Sequence, residues 1–201
     1  MIRVAINGFG RIGRGFLRAV IEKGKTPRQA QGKGETGEME IVAINDLASP
    51  ENLAYLLKYD TVYGRAKFSV ASAQGTLVVD GKNISVVAEK DPAKLPWKDM
   101  RVDIVIESTG LFTDVEKAKA HIDAGAKHVV ITAPAKGEGV DTILIGANEE
   151  KFATCGSITS NASCTTNAAS PVIGILDGAV GIERAILNTT HGYTASQSLV
   201  D

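Results

Sequence analysis

The segment Ile2–Gly13, IRVAINGFGRIG, places a G-x-G-x-x-G pattern at Gly8, Gly10 and Gly13 directly after a β-prone run and directly before residues at helical spacing. A strand that must turn at once into a helix over three glycines has few ways to fold. In such a turn the first glycine permits a tight bend. The second lets the backbone approach an anion, and the third lets the helix pack on the strand. The helix N-terminus then offers unpaired N–H groups and partial positive charge to a pyrophosphate. A Gly-rich turn that binds nothing has the same letters, so the surrounding pattern decides.

That pattern alternates. Ile12, Phe16, Leu17, Val20 and Ile21 follow the helical period, and Gly24 is placed to stop the helix. The stretch 25–39 is polar, rich in glycine and without period, and reads as an exposed loop. Ile41–Asn45 is a second buried strand, Pro50–Tyr59 a helix, and Thr76–Val79 with Ile84–Val87 a hairpin around Asp80–Asn83. Val102–Ile106 is a strand, Asp114–Ala124 a helix ended by Gly125, and His128–Thr132 and Thr142–Ile145 are two further strands. Strands alternating with helices predict an α/β fold, a Rossmann-type doubly wound parallel sheet over residues 1–150.

From 151 to 201 the character changes to that of an incomplete α+β domain. Gly156–Ser163 is small and polar, Cys164–Asn167 opens a helix that contains Pro171, and Ile182–Leu187 reads as a new strand. A length of 201 residues fits about one and a third domains. With 44% hydrophobic and 22% charged residues, the chain can bury a core and is not disordered throughout. A net charge of −1 argues against a nucleic-acid partner. No run approaches the ~18 apolar residues of a membrane span, and the N-terminus reads as a strand and not as a secretory signal. The expectation is a soluble, cytoplasmic protein whose two cysteines are thiols.

Asp46 ends the second strand, where a carboxylate can bond the ribose hydroxyls of a dinucleotide and disfavour a 2′-phosphate, so NAD is expected over NADP. The interval from Gly8 exceeds the usual ~20 residues, and the 25–39 loop accounts for the excess. An Asx turn or helix cap is the plainer use of an aspartate there. Cys164 sits at a helix start among the hydroxyls of Ser163, Thr165 and Thr166, a setting that favours thiolate. His191 follows past the expected strand and could return as its base. Spacing alone leaves open a structural cysteine and an unrelated histidine. Cys155 reads as a small core residue, and His121 and His128 as surface or packing residues. No Cys/His cluster has zinc spacing, so no metal is expected.

Taken together, INGFGRIGR at 6–14, INDL at 44–47, LLKYD at 56–60, ESTG at 107–110, TAPAKG at 132–137, SNASCTTN at 160–167 and THGYTASQ at 190–197 resemble the phosphorylating glyceraldehyde-3-phosphate dehydrogenase family over essentially the whole chain. The resemblance implies an NAD-dependent enzyme that oxidises D-glyceraldehyde 3-phosphate to 1,3-bisphosphoglycerate in glycolysis and gluconeogenesis, acting as a homotetramer. Cys164 would be the nucleophile and His191 its base. Ser163, Cys164 and Thr165 would contact the attacking inorganic phosphate, and Thr194 the substrate's own phosphate. Asn7, Gly8, Phe9, Gly10, Arg11, Ile12, Asp46, Lys90, Ser108, Thr109, Gly110 and Thr132 would contact the cofactor.

Three features depart from the family. The 25–39 loop is long, Ala168 stands where many members carry a second cysteine, and the chain stops at Asp201 as the family's long loop beside the cofactor begins. An arginine for the substrate phosphate and an asparagine for the nicotinamide amide are then absent. The expectation is that these 201 residues alone bind the adenine half of NAD weakly and do not turn over. Three other readings remain in view: a relative acting on erythrose 4-phosphate, a dinucleotide-binding module without turnover, and a thiol sensor working through oxidation of Cys164.

Overall fold

A strand with apolar side chains on both faces belongs inside a sheet, and Ile2–Asn7 (β1) takes that place. The computed structural model describes residues 1–25 and 39–194. Nearly all of the polar loop expected over 25–39, and the end of THGYTASQ, lie outside the described residues. β2 (Met39–Asn45) pairs parallel with β1 on one side, and β6 (Ile104–Glu107) does so on the other. β3 (Val70–Ala73), β4 (Thr76–Val79) and β5 (Lys82–Val87) form an antiparallel meander whose last strand joins β2 in parallel. β7 (His128–Ile131), β9 (Ile158–Ser160) and the two-residue β8 (Asp141–Thr142) extend the far side, giving the order β3-β4-β5-β2-β1-β6-β7-β9-β8. The sheet therefore continues past residue 150.

The period-2 alternation of β1 divides the core. Val4 and Ile6 join a cluster with Leu17 of α1 (Arg11–Lys25) and Leu53 and Leu57 of α2 (Pro50–Lys58). Ala5 faces the other cluster, with Ala43, Val105, Val129, Trp97 and Ala118 of α3 (Val115–Asp123). Caps set the helix starts: Ser49 accepts from the Asn52 N–H ahead of Pro50, and Asp114 accepts from the Glu116 N–H. Because β1, β2, β5, β6, β7 and β9 run parallel, the loops leaving them share one edge. Ligands of doubly wound sheets bind at this carboxyl edge.

Several expectations need correction. Helix α1 runs through Gly24 to Lys25, one residue past the expected stop, since a single glycine costs a helix only about 1 kcal/mol. Strand β8 stops at Thr142 because the chain turns: Asn148 Oδ1 accepts from the Leu144 N–H, and Gly146 has φ +80°. No strand forms over Ile182–Leu187. Ile186 is 98% exposed, and no partner strand lies beside this run among the described residues. Strands β3 and β9 were not legible from the sequence. Cys155 is only partly buried, in the turn after a short 3-10 helix, and its thiol donates weakly to the Phe152 carbonyl. Of the two placements expected for His121, surface or packing, it takes the buried one.

Candidate active site

The β1–α1 turn meets the steric demands of its glycines. Gly8 has φ +89°, and a Cβ there would stand 2.7 Å from the Thr109 nitrogen. A Cβ on Gly13 would stand 2.2 Å from the Gly8 carbonyl oxygen. A Cβ on Gly10 would meet nothing among the described residues within 4 Å, so that position is open on the side where a pyrophosphate would approach. The first turn of α1 carries no acidic residue, and Ile12 is exposed at its start. The donor set therefore fits a dinucleotide phosphate.

Around this turn the edge collects the residues expected to contact a cofactor. Phe9 is buried and contributes backbone: its N–H donates to Asp46 Oδ2 at 2.7 Å, and its carbonyl accepts from Arg14. Asp46 also accepts the Ala48 N–H at 3.0 Å, so it forms an Asx turn and still braces the β1–α1 turn. A carboxylate retains acceptor capacity beyond two such bonds. Ser108 donates to the Gly8 carbonyl at 2.7 Å, Gly110 has φ +74°, and both the N–H and hydroxyl of Thr132 bond the Glu107 carbonyl at 3.0 Å. Lys90 is exposed just beyond β5.

Arg11 turns its guanidinium to Asp60, with Nη1 2.9 and 3.0 Å from the two carboxylate oxygens. Burial pushes the Asp60 carboxyl up, but the Tyr63 N–H, the Arg11 guanidinium and the Val62 N–H outweigh it and hold it at about 2. An aspartate held below its unfolded value of about 3.9 adds stability that is complete above that value and lost as pH falls toward 2. Asp60→Asn is thus expected to lower the neutral-pH melting temperature and to flatten the loss of stability between about pH 4 and 2. An unchanged acid limb in thermal melts would contradict this.

At the end of β9 the chain builds a helix start. Ala162 takes φ +56°, Ser160 Oγ accepts the Ala162 N–H at 3.0 Å, and the Asn167 amide donates to the carbonyls of Asn161 and Ser163. Ser163 caps α4 (Cys164–Val180), accepting the Thr166 N–H at 3.0 Å, with Thr166 Oγ1 at 2.7 Å. Cys164 is the first residue of that helix and is exposed. Its sulfur lies 3.0 Å from His191 Nε2, while His191 Nδ1–H donates to the Gly192 carbonyl at 2.6 Å. That second bond puts the neutral ring's proton on Nδ1 and leaves Nε2 to take the thiol proton.

The pair's titration follows its geometry. The His191 bond lowers the Cys164 thiol below the ordinary range against a small desolvation, helped by the Thr165 N–H and hydroxyl. The Gly192 carbonyl and then the cysteine raise His191. Iodoacetamide at neutral pH is therefore expected to label Cys164 ahead of Cys155, read by peptide mass mapping. Faster labelling of Cys155 would count against the pair. Thr194 lies exposed three residues beyond His191, in the same segment without helix or strand.

Asn7, expected to contact the cofactor, is 1% exposed, and its side chain is spent on Asn45 and Glu107; no local spacing in the sequence marks the buried cluster it forms with Glu107, His121 and Trp97.

Comparison with known proteins agrees with this geometry. Residues 2–115 match the NAD binding domain of glyceraldehyde 3-phosphate dehydrogenase, and residues 163–201 match the C-terminal domain of the same family. Over its whole length the chain is 50% identical to the glyceraldehyde-3-phosphate dehydrogenase of Thermotoga maritima, covering 57% of that protein. It is 47% identical to that of Streptomyces coelicolor, covering 56%, and 44% identical to the chloroplastic one of Chondrus crispus, covering 46%. The chain spans about half the length of the curated relatives it matches. No helix among the described residues is long and apolar enough to cross a membrane.

Proposed function

The chain belongs to the glyceraldehyde-3-phosphate dehydrogenase family, and from that premise we propose that it serves NAD-dependent, phosphorylating oxidation of D-glyceraldehyde 3-phosphate. The observation that carries the proposal is the 3.0 Å contact of Cys164 Sγ with His191 Nε2 at the start of a helix that leaves the sheet's carboxyl edge.

Cys164 adds as thiolate to the aldehyde carbon. A C–S bond forms, the carbonyl π pair moves to oxygen, and protonated His191 supplies the proton. In the thiohemiacetal, His191 Nε2 takes the hydroxyl proton back as the C–H bond breaks, leaving a thioester on Cys164. Bound NAD⁺ supplies the acceptor for the departing hydride. An oxygen of inorganic phosphate then attacks the acyl carbon, the C–S bond breaks, and 1,3-bisphosphoglycerate leaves with the thiolate regenerated.

For the cofactor, the open face at Gly10 and the free N–H groups of α1 suit the pyrophosphate, and Asp46 suits the adenosine ribose. Asn7, Gly8, Phe9, Arg11, Ile12, Lys90, Ser108, Thr109, Gly110 and Thr132 complete its surroundings. The thiol neighbours Ser163 and Thr165, with Thr194, offer hydroxyls for two phosphates. The working assembly is a homotetramer in the cytoplasm. The test is NADH formation from glyceraldehyde 3-phosphate with and without inorganic phosphate, by a protein that carries this chain at the full length of its relatives. Sustained turnover that needs phosphate supports the reading. Equal turnover without it would overturn the phosphorylating step.

A further inference from the structure

Five buried polar side chains lie beneath the dinucleotide turn: Trp97 and His121 are fully buried, and Asn7, Glu107 and Asn45 are 1%, 2% and 6% exposed. Their hydrogen bonds have a fixed direction. Asn45 clasps the Glu89 backbone, with Oδ1 accepting the N–H and Nδ2 donating to the carbonyl, both at 2.8 Å, so its amide cannot flip. Asn45 Nδ2 also donates to Asn7 Oδ1 at 2.7 Å, which turns Asn7 Nδ2 toward Glu107 Oε2 at 2.5 Å.

A second chain arrives from the opposite side. The Trp97 indole can only donate, and it meets His121 Nδ1 at 3.0 Å. The imidazole proton therefore sits on Nε2 and points at Glu107 Oε2, 3.0 Å away. Glu107 Oε1 takes the Thr109 N–H at 2.9 Å and the Thr109 hydroxyl at 2.5 Å. Four donors converge on one side chain, and only an acceptor-only group satisfies them all. That group is a carboxylate.

What it holds is the floor of the crevice. The Thr109 backbone presses on Gly8 so closely that a Cβ there would stand 2.7 Å from the Thr109 nitrogen. A shift of Thr109 is thus a shift of the phosphate turn. At the other end, Asn45 pins Glu89 beside Lys90.

We propose that Glu107 is a positioning residue for the dinucleotide crevice, kept acceptor-only by the Trp97–His121 and Asn45–Asn7 chains and fixing Thr109 against Gly8. The proposal rests on the reading that this crevice binds NAD. In Glu107→Gln the amide oxygen can still face Thr109, but the amide nitrogen then meets two donors, Asn7 Nδ2 and the Nε2–H of His121. Removing the indole donor with Trp97→Phe frees Nδ1 to carry the proton, so that Nε2 can accept from the new carboxamide.

The experiment measures NAD affinity by calorimetric titration of the protein and its variants. Glu107→Gln is expected to weaken binding by about tenfold or more, since two buried hydrogen bonds are misdirected. Trp97→Phe alone should stay within about threefold, and adding it to Glu107→Gln should recover about threefold of the lost affinity, because the Asn7 Nδ2 donor still meets the carboxamide nitrogen. Affinity unchanged in Glu107→Gln, or a double variant no better than the single, overturns the proposal. A role in stability alone would give no such rescue. Imidazole ¹⁵N shifts of the unmodified protein test the polarity without any ligand or variant: a proton on His121 Nε2 is expected, and one on Nδ1 overturns the proposal. Failure of the unmodified protein to bind NAD would strike the cofactor reading instead, while the tautomer still decides the polarity.

Discussion

Replacing His191 by glutamine is expected to cut kcat by about 10²–10⁴-fold, the usual worth of a positioned general base. The wild-type ring is set for the task by its two nitrogens. Nδ1–H is committed to the Gly192 carbonyl, so Nε2 faces the Cys164 sulfur as acceptor in the neutral pair and as donor in the ion pair. A glutamine offers a dipole but cannot carry the proton away and return it. The thiol should respond as well. With its principal hydrogen bond gone, Cys164 moves back up toward the ordinary thiol range and carries less thiolate at neutral pH. Alkylation of Cys164 by iodoacetamide at neutral pH should then slow by about tenfold, and its pH profile should shift upward. A variant with low kcat but an unchanged alkylation profile would show that His191 serves turnover without activating the thiol.

The second large effect separates two glycines of one motif. Gly13→Ala drives a methyl to 2.2 Å from the Gly8 carbonyl oxygen and 3.0 Å from Ile6 Cγ2, both parts of the packed β1–α1 junction. Overpacking of this kind costs about 1–3 kcal/mol, so the melting temperature should fall together with NAD affinity. Gly10→Ala meets nothing among the described residues within 4 Å, and its backbone does not need a positive φ. Its melting temperature should hold while NAD affinity falls by about tenfold or more, because the methyl occupies the approach of the pyrophosphate. Thermal melts beside NAD titrations read both effects. Undiminished NAD affinity in Gly10→Ala would mean that the pyrophosphate lies elsewhere.

Local chemistry was the legible part of this molecule. The β1 turn and its helix could be read because their residues are contiguous and each glycine has its own steric reason. The α4 start was legible for a similar reason, its hydroxyls and asparagine capping a helix within eight positions. The parallel sheet followed from the alternation of strand and helix. Strands β3 and β9 were hidden because four and three residues carry too little period, and only their neighbours make them strands. Ile182–Leu187 failed in the opposite sense: it has the composition of a strand, but among the described residues no strand pairs with it. The Glu107 cluster could not be read at all, since Asn7 and Glu107 lie one hundred positions apart and meet only because β1 and β6 are neighbours.

The central claim is that the Cys164 sulfur carries the acyl group between oxidation and phosphate attack. It is tested most directly by mixing the protein with glyceraldehyde 3-phosphate and NAD⁺ without phosphate, quenching in acid, and mapping the acyl adduct by peptide mass spectrometry. The account predicts one adduct, on the peptide containing Cys164, that disappears when inorganic phosphate is added before the quench. NADH formed with no adduct on Cys164, or an adduct on Cys155, would contradict it.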